Sequence, residues 1–327
     1  MMRVKIEDVC MKGSSNLKQS DVVGKNGIYP VYGAAGYLGS IDSFKQSKPY
    51  VAVVKDGAGI GRAMLLPSNS SIIGTMQYLL PKDNILPEYL YYLIKAKHLE
   101  KYYSGATIPH IYFKDYKNEE FDLFSFEIQC QIINKLKIIE KIIEKQKKEM
   151  DLLDELVKAR FVELFGDPII NDKGLITELL ANVSNLKAGK AIKTGELSEN
   201  NDTNSLFPCF GGNGIRGYIN RYTHDGTFPI IGRQGALSGN VNFAKGKFYA
   251  TEHAIVVTPK VELDDTWFFY CLKYLDLKRF QTGAAQPGVS VEKLNNISIP
   301  LPNYKSQLYF SDFVKEVDKS RFIIKSM

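Results

Sequence analysis

The sequence predicts an α+β protein, in which two related mixed α/β units are joined by long antiparallel coiled-coil helices, the C-terminal helix being short. Three observations lead to this prediction. The chain has 327 residues, which suits two domains better than one. Its landmarks recur after 178 residues, and an apolar heptad seam follows the first copy. The segments that we expect are 1–125, 126–166, 167–304 and 305–327.

The composition is that of an ordinary globular protein. Hydrophobic residues make up 44% of the chain and charged residues 24%, so neither a disordered nor a collagen-like protein is expected. No apolar run approaches the roughly 18 residues that a membrane span needs. The N-terminal residues lack the apolar stretch of a signal peptide. We therefore expect a cytoplasmic protein that has no membrane partner.

The internal repeat is clearest in glycine-rich motifs. Residues 29–36 read YPVYGAAG and residues 207–214 read FPCFGGNG, at a separation of 178 residues. The same ungapped separation relates a Lys/Arg-x-Gly-Ala turn, a Ser/Thr-Gly-Ala-x-x-Pro loop and the pair Gln129 and Gln307. Chance explains one match between glycine-rich segments, but it does not explain a single offset that holds along the chain. The constant offset therefore indicates a duplication.

Each repeat contains two predicted strands around a tight turn, followed by a helix. The strand segments are 50–54 and 63–67 in the first repeat and 228–231 and 241–243 in the second. The helix is expected from about Pro87 to Tyr103, and again over residues 265–281, because proline favours a helix start and the glycine that follows favours its end.

A long helix follows the first globular unit. Its seam positions, which are apolar except for one glutamine, recur at spacings of four and three residues, as in a coiled coil. They are Ile132, Leu136, Ile139, Ile143, Gln146, Met150, Leu153 and Val157. At about 1.5 Å per residue this helix is roughly 55 Å long.

The duplicate of this helix begins at Gln307 and is only about 30 Å long up to Met327. It therefore covers little more than half of the first helix. We expect the remaining seam to bind a partner, at Ile143, Gln146, Met150, Leu153 and Val157.

The order of these motifs resembles the specificity subunits of type I restriction-modification enzymes. The residues that carry the resemblance are the helix-end segment 159–168 (ARFVELFGDP), the glycine-rich turns of each half and the 178-residue duplication. The resemblance implies two target recognition domains that each read one half of a bipartite, asymmetric DNA sequence. It also implies methyltransferase (modification) and restriction/translocase subunits as partners, which would carry S-adenosylmethionine, ATP and magnesium.

Catalysis by this chain itself is not expected. No Gly-x-x-x-x-Gly-Lys-Ser/Thr segment, Asn/Asp-Pro-Pro-aromatic segment or Gly-x-Ser-x-Gly elbow occurs in the sequence. The histidines lack the paired spacing of a zinc site, so no metal site and no cofactor are predicted. The four cysteines have no Cys-x-x-Cys pair and are interpreted as buried thiols: Cys10, Cys130, Cys209 and Cys271.

The residues that we expect to contact DNA lie in the glycine-rich turns and in the loop after the first helix. Glycine lets the backbone approach phosphate closely, while Arg, Asn and Gln pair with base edges. These residues are Lys55, Arg62, His110 and Lys114 in the first repeat and Arg233, Gln234 and Asn240 in the second. For each of them a solvated turn is the alternative. Gln77 and His253 are interpreted instead as structural hydrogen-bond partners.

The net charge of +6 and the pI of about 8.8 permit DNA binding without requiring it. Two other functions stay open at this stage. One is a truncated specificity subunit that works only after self-association through the exposed coiled-coil seam. The other is a self-contained modification enzyme, which the missing catalytic motifs disfavour.

Overall fold

The structure, a computed structural model, describes residues 2–105, 109–201, 206–283 and 287–326. It divides into two compact units, residues 1–144 and residues 145–327. Each unit combines small β-sheets with helices, so the predicted α+β class with one long helix and a shorter C-terminal helix is confirmed. Parts of the Ser/Thr-Gly-Ala-x-x-Pro loops, residues 106–108 and 284–286, lie outside the described residues.

Among its described residues, unit 1 has nine strands and three α-helices before the long helix begins. The strands are β1 (Met2–Lys5), β2 (Cys10–Ser14), β3 (Tyr29–Gly33), β4 (Gly36–Ile41), β5 (Tyr50–Val54), β6 (Ala63–Leu66), β7 (Ser71–Ile72), β8 (Met76–Pro81) and β9 (Glu120–Leu123). The helices are α1 (Ile6–Val9), α2 (Pro87–Ala96) and α3 (Phe113–Tyr116). They form a four-stranded sheet of order β2-β8-β5-β6, a three-stranded sheet of order β4-β3-β7 and the antiparallel pair β1-β9.

The long helix α4 (Phe126–Phe165) begins in unit 1, and unit 2 starts within it. Unit 2 then repeats the elements of unit 1. Its strands are β10 (Thr177–Leu179), β11 (Ser184–Ala188), β12 (Phe207–Gly211), β13 (Gly214–Ile219), β14 (His224–Gly232), β15 (Val241–Ala250), β16 (Ala254–Pro259) and β17 (Ser298–Pro300). Its helices are α5 (Leu180–Val183), α6 (Asp265–Tyr274), α7 (Val291–Asn295) and α8 (Tyr304–Ser326).

The duplication is visible in the backbone of the two units. The hairpins β3-β4 and β12-β13 carry a register shift at equivalent places, after Val31 and after Cys209. Unit 2 joins six of its strands into one sheet, of order β11-β16-β14-β15-β12-β13, while β10 and β17 form a separate antiparallel pair. Unit 1 splits the equivalent sheet in two, because Pro67 has no N–H to donate and Asn69 has a left-handed φ of 55°. Together these residues interrupt the strand that β15 forms without a break.

The predicted strands around each tight turn are confirmed, whereas the predicted helices are shorter than expected. Helix α2 ends at Ala96, and a separate 3₁₀ turn covers Leu99–Tyr102. The reason is His98, whose φ of 50° places it in the left-handed region, where an α-helix cannot continue. Asp276, the equivalent residue of unit 2, has a φ of 48° and ends α6 in the same way.

A single buried glutamine connects the start of each long helix to its own globular unit. Gln129 Oε1 accepts the N–H of Leu86 at 2.9 Å, and its Nε2 donates to the carbonyls of Asn84 (3.2 Å) and Phe124 (2.9 Å). In unit 2 the same position is Gln307. Its Oε1 accepts the N–H of Asp264 at 2.9 Å, and its Nε2 donates to the carbonyl of Pro302 at 2.9 Å.

Helix α8 packs antiparallel along the part of α4 that belongs to unit 2. Arg160 near the end of α4 donates to Tyr309 near the start of α8, and Gln146 Nε2 donates to the carbonyl of Ile324 at 3.2 Å. Aromatic rings fill the wider end of this contact. Phe310 of α8 lies 5.4 Å from Phe161 and 5.8 Å from Phe165, measured between ring centroids. The antiparallel coiled coil is therefore confirmed within unit 2.

The predicted exposed seam needs a correction. Gln146, Met150 and Leu153 are only partly exposed, and Val157 is fully buried in the core of unit 2, because α8 covers this stretch. The exposed part of the seam lies earlier in α4. Ile139 and Ile143 have 49% and 58% of their surface exposed.

Cys130 is also exposed, against the prediction of four buried thiols, whereas Cys10, Cys209 and Cys271 are buried as expected. No helix within the described ranges is both long enough and apolar enough to cross a membrane.

We expect Gln129→Leu to lower the free energy of unfolding of unit 1 by about 3 kcal/mol, because the substitution leaves one buried N–H and two carbonyls without partners. The control is Gln131→Leu, two residues further along the same helix at an exposed position, where the change should be below about 0.5 kcal/mol. Urea denaturation of the full chain measures both values. Equal stability of the two variants would contradict the role given to Gln129.

Candidate functional site

In unit 1 the sequence-predicted residues lie around one turn, residues 55–62, between β5 and β6. The loop after α2 packs against this turn, since Ile111 N–H donates to the carbonyl of Lys55 at 2.9 Å and Gly57 N–H donates to that of Pro109 at 3.0 Å. Arg62 at the other end of the turn donates to the carbonyl of Ala34, in the turn of the β3-β4 hairpin, at 3.2 Å. Three segments that are distant in sequence thus meet in one place.

Unit 2 forms the same frame around residues 233–240. Val289 N–H donates to the carbonyl of Arg233 at 2.8 Å, and Gly235 N–H donates to that of Pro287 at 2.9 Å. Asn240, at the position of Arg62, donates to Asn213 in the turn of the β12-β13 hairpin at 3.1 Å. The two units therefore share a backbone arrangement while their side chains differ.

Glycine makes the close packing behind each turn possible. Gly61 has a φ of 82°, and a Cβ atom there would lie 2.5 Å from the N atom of Glu100 in the 3₁₀ turn Leu99–Tyr102. Gly239 has a φ of 83°, and its Cβ atom would lie 2.7 Å from the N atom of Lys278. A side chain at either position would force the turn away from the element that supports it.

An ion cluster occupies the turn of unit 1. Asp56 lies 2.6 Å from Lys55 Nζ, and its other oxygen lies 2.7 Å from His110 Nδ1. Partial burial raises the pKa of Asp56, but the hydrogen bonds from Lys55 and His110 outweigh it and hold this pKa below the ordinary value. Asp56 is not among the residues that the sequence analysis selects. It brings Lys55 and His110 together and neutralises part of the charge of Lys55.

The remaining cation of the loop, Lys114, lies beside an exposed aromatic ring. Its Nζ is 5.4 Å from the centre of Tyr112, whose other neighbour is the stacked ring of His110 at 6.3 Å. Lys55 and Lys114 line one cleft of about 290 Å³ together with Lys12, which the sequence analysis did not select. This part of unit 1 therefore concentrates positive charge next to two planar rings, which suits a phosphate backbone.

Unit 2 presents amides where unit 1 presents charge. Gln234 is exposed, and Arg233 is partly buried with its guanidinium donating to the carbonyl of Glu252 at 3.4 Å. The position of Lys114 is taken by Glu292. Of the three residues predicted in this unit, Gln234 is the most available to a ligand, whereas Asn240 is engaged with Asn213.

The interpretation of Gln77 and His253 is confirmed for Gln77 only. Gln77 Oε1 accepts from the hydroxyl of Tyr116 at 3.2 Å. His253 Nε2 lies 3.3 Å from a carboxylate oxygen of Glu252, but its Nδ1 is buried without a hydrogen-bond partner among the described residues.

A family model described as the type I restriction modification DNA specificity domain matches residues 1–150 and again residues 179–326. The chain belongs to this family. Each unit thus contains one copy of the specificity domain, as the 178-residue duplication predicts.

Several known specificity subunits are similar to this chain. The EcoprrI specificity subunit of Escherichia coli is 40% identical over 139 residues, which are 42% of this chain and 35% of that protein. A putative specificity subunit of Haemophilus influenzae is 30% identical over 142 residues, 42% of this chain and 34% of its own length. The chain therefore spans about a third of the length of these two relatives.

Longer matches are more distant. The MjaVIII specificity subunit of Methanocaldococcus jannaschii is 23% identical over 315 residues, 82% of this chain and 72% of that protein. The crystal structure of a type I specificity subunit from M. genitalium covers 99% of this chain and 91% of its own, with a TM-score of 0.63 and 18% identity. This likeness shows that the fold is shared.

The 3₁₀ turn that supports the first specificity domain's site is held by Glu119. This carboxylate lies 2.6 Å from Lys101 Nζ, accepts from the hydroxyl of Tyr102, and lies 3.1 Å from Lys97 Nζ. The hydrogen bonds from Lys101 and Tyr102 lower the pKa of Glu119 to about 2. Only 16% of the Glu119 side chain is exposed, so solvent screens these contacts little.

We expect Glu119→Gln to destabilise unit 1 by about 1–2 kcal/mol at neutral pH. Because the folded-state pKa lies below the ordinary value, the contribution is complete above about pH 4.5 and disappears as the pH falls toward 2. The wild-type and variant unfolding curves should therefore converge in acid. The control is Glu120→Gln, whose half-exposed carboxylate pairs with Arg3. A stability difference that persists unchanged at pH 2 would contradict this assignment.

Proposed function

We propose that this chain is the DNA sequence-specificity subunit of a type I restriction-modification system. The observation that carries the proposal is the presence of two copies of the specificity domain in one chain, with the same turn frame and different side chains at its surface. Two such surfaces suit a target whose halves differ in sequence. Each domain reads one half of a bipartite, asymmetric site in double-stranded DNA.

The proposed DNA contacts divide into two kinds. In unit 1, Lys55, Arg62 and Lys114 supply positive charge, which positions a protein on the phosphate backbone, and His110 adds a hydrogen-bonding ring. In unit 2, Gln234 and Asn240 supply amides and Arg233 supplies a guanidinium, which contact base edges or phosphate. In the proposed domain organisation, recognition domains over 1–125 and 167–304 alternate with helical segments over 126–166 and 305–327.

We further propose that the chain is not catalytic and acts in the cytoplasm with partner subunits. Modification subunits bind S-adenosylmethionine and methylate adenine, while restriction/translocase subunits use ATP and magnesium for translocation and cleavage. Residues 126–166 carry eight basic and eight acidic side chains, so this helix gains little from DNA and is better suited to protein contacts.

The exposed part of the α4 seam is the proposed docking surface for a modification subunit. It consists of isoleucines one helical turn apart, which form two adjacent rows: Ile138, Ile139, Ile142 and Ile143. Exposed apolar clusters of this kind mark protein interfaces, because their burial on association is favourable. The seam residues further along α4 already pack against α8. They contribute to the docking surface by holding the two helices together and do not contact the partner directly.

The proposed function predicts a loss of adenine methylation when this gene is deleted from its genome. Methylated bases are mapped by sequencing with and without the gene, and with the gene restored on a plasmid as the control. Loss at a split, asymmetric motif supports the function and reveals both half-sites. Loss at a split palindrome indicates paired copies that read with one domain, and an unchanged methylation map contradicts the proposal.

Replacing both Ile139 and Ile143 by Asp should abolish assembly with the modification subunit, because two charges would have to be buried in the interface. Lys141→Asp, at an exposed position on the same helix, is the control and should assemble normally. Size-exclusion chromatography with multi-angle light scattering measures the complex. If the lone wild-type chain is a dimer that the double variant dissociates, self-association is the function of this surface instead.

A further inference from the structure

Unit 2 contains an open cleft that has no counterpart among the clefts described in unit 1. Its volume is about 610 Å³, and it lies between the turn of the β12-β13 hairpin and the turn that follows β14. Asn213 and Arg216 line it from the hairpin, Gln234 from the other turn and His253 from the start of β16. Four side chains with hydrogen-bonding groups thus converge on one concave surface.

Arg216 is exposed, and it forms no ion pair within the part of the chain that the structure describes. Its aliphatic stem lies across Gly211, so that a Cβ atom at Gly211 would overlap Arg216 Cδ. Because Gly211 has no side chain, the stem of Arg216 rests directly on the backbone of β12. The guanidinium group therefore lies at the cleft, where it makes no ion pair with the described residues.

The polypeptide around the cleft carries unusual polar atoms. Among the described residues, eight buried side-chain N or O atoms have no hydrogen-bond partner, and five of them belong to residues 238–253. The five residues are Ser238, Asn242, Thr251, Glu252 and His253. Buried polar groups without partners are costly, and of these five residues His253 is the one that lines the cleft.

The equivalent positions of unit 1 show that this chemistry is specific to unit 2. They are occupied by Ile60, Met64, Ile73, Gly74 and Thr75. Arg216 itself corresponds to Leu38, and Asn213 corresponds to Ala35. The duplication therefore supplies an internal comparison. The positions of Arg216 and Asn213 are apolar in unit 1, whereas those of Gln234 and His253 carry Asp56 and Thr75.

We propose that this cleft reads base edges in the major groove of DNA and that Arg216 contacts a guanine. The inference rests on the proposed function and names the ligand of one domain. The β12-β13 hairpin forms the edge of the six-stranded sheet. The major groove admits a pair of β-strands, and a guanidinium there pairs with O6 and N7 of guanine. Gln234, across the cleft, reads a neighbouring base, and Gly211 is a positioning residue for Arg216.

The consequence is an asymmetry between the two half-sites. The half that unit 2 reads contains a G·C base pair that Arg216 specifies. Unit 1 has no cation at this position, because Leu38 occupies it, so it reads its half without this contact.

The test uses Arg216→Leu, which introduces the residue of unit 1, in the host strain with all partner subunits present. Methylation sequencing should show that one G·C position in one half-site becomes degenerate, with roughly 10- to 100-fold weaker discrimination, while the other half is unchanged. The control is Arg221→Leu, five residues away in the same unit, where the arginine is instead paired with Glu196 at 2.7 Å. This control should retain the full motif.

A second pair of variants distinguishes the effect of displacing Arg216 from the effect of misfolding of the chain. Gly211→Ala displaces Arg216 without removing its charge, and should relax the same base pair. Gly33→Ala is the matched change in unit 1, where the added Cβ atom meets only Ile73 Cδ1 at 3.3 Å, and it should leave both half-sites intact. Thermal unfolding of the purified chains checks that each variant folds.

The possible failures are distinct. If the wild-type gene confers no methylation, the proposed function fails. If the wild-type gene confers a split motif that folded Arg216→Leu leaves unchanged, only the base contact is refuted. A uniform loss of DNA affinity by the assembled complex, with a salt dependence reduced by about one ion, would show that Arg216 binds phosphate and would also refute it.

Discussion

The arrangement of each unit depends on one buried glutamine. Gln129 and Gln307 each use a side-chain amide to hydrogen-bond two backbone segments. One segment precedes the shorter helix of the unit, α2 or α6, and the other precedes the longer helix, α4 or α8. A buried amide satisfies donors and acceptors only in one geometry. The direction in which a long helix leaves its sheet is thereby fixed by hydrogen bonds, and the apolar seam that follows is presented on a defined face.

Much of this fold follows from patterns in the sequence. The strand pairs around the tight turns, the long helix and the two related units are all predicted from alternation, heptad spacing and the constant offset. The helix breaks at His98 and Asp276 are not predicted, because neither residue type excludes an α-helix and only the tertiary structure selects their left-handed conformation. The exposed part of the seam lies earlier along α4 than predicted, because heptad spacing identifies a seam but does not show which part of it another helix covers.

The candidate site is predicted less completely than the fold. Glycine-rich turns located the frame correctly in both units. The pairing of Asp56 with Lys55 and His110 joins residues that are 54 positions apart, and no local pattern indicates it. The placement of Arg216 at the cleft is not predicted from the sequence, because it depends on the absence of a side chain at Gly211, five residues earlier and on the neighbouring strand. The duplication thus preserved the backbone frame, on which each unit carries its own surface chemistry.

Of the four cysteines, all of which lie in the described part of the chain, Cys130 alone has an exposed side chain. Burial raises the pKa of the Cys10 thiol to about 12 and also raises those of Cys209 and Cys271, so the nucleophilic thiolate form is suppressed at these three sites. A maleimide dye or a nitroxide applied to the native protein is therefore directed to a single residue. That residue follows Gln129 directly, so the attached probe reports from the base of the long helix without any engineered cysteine.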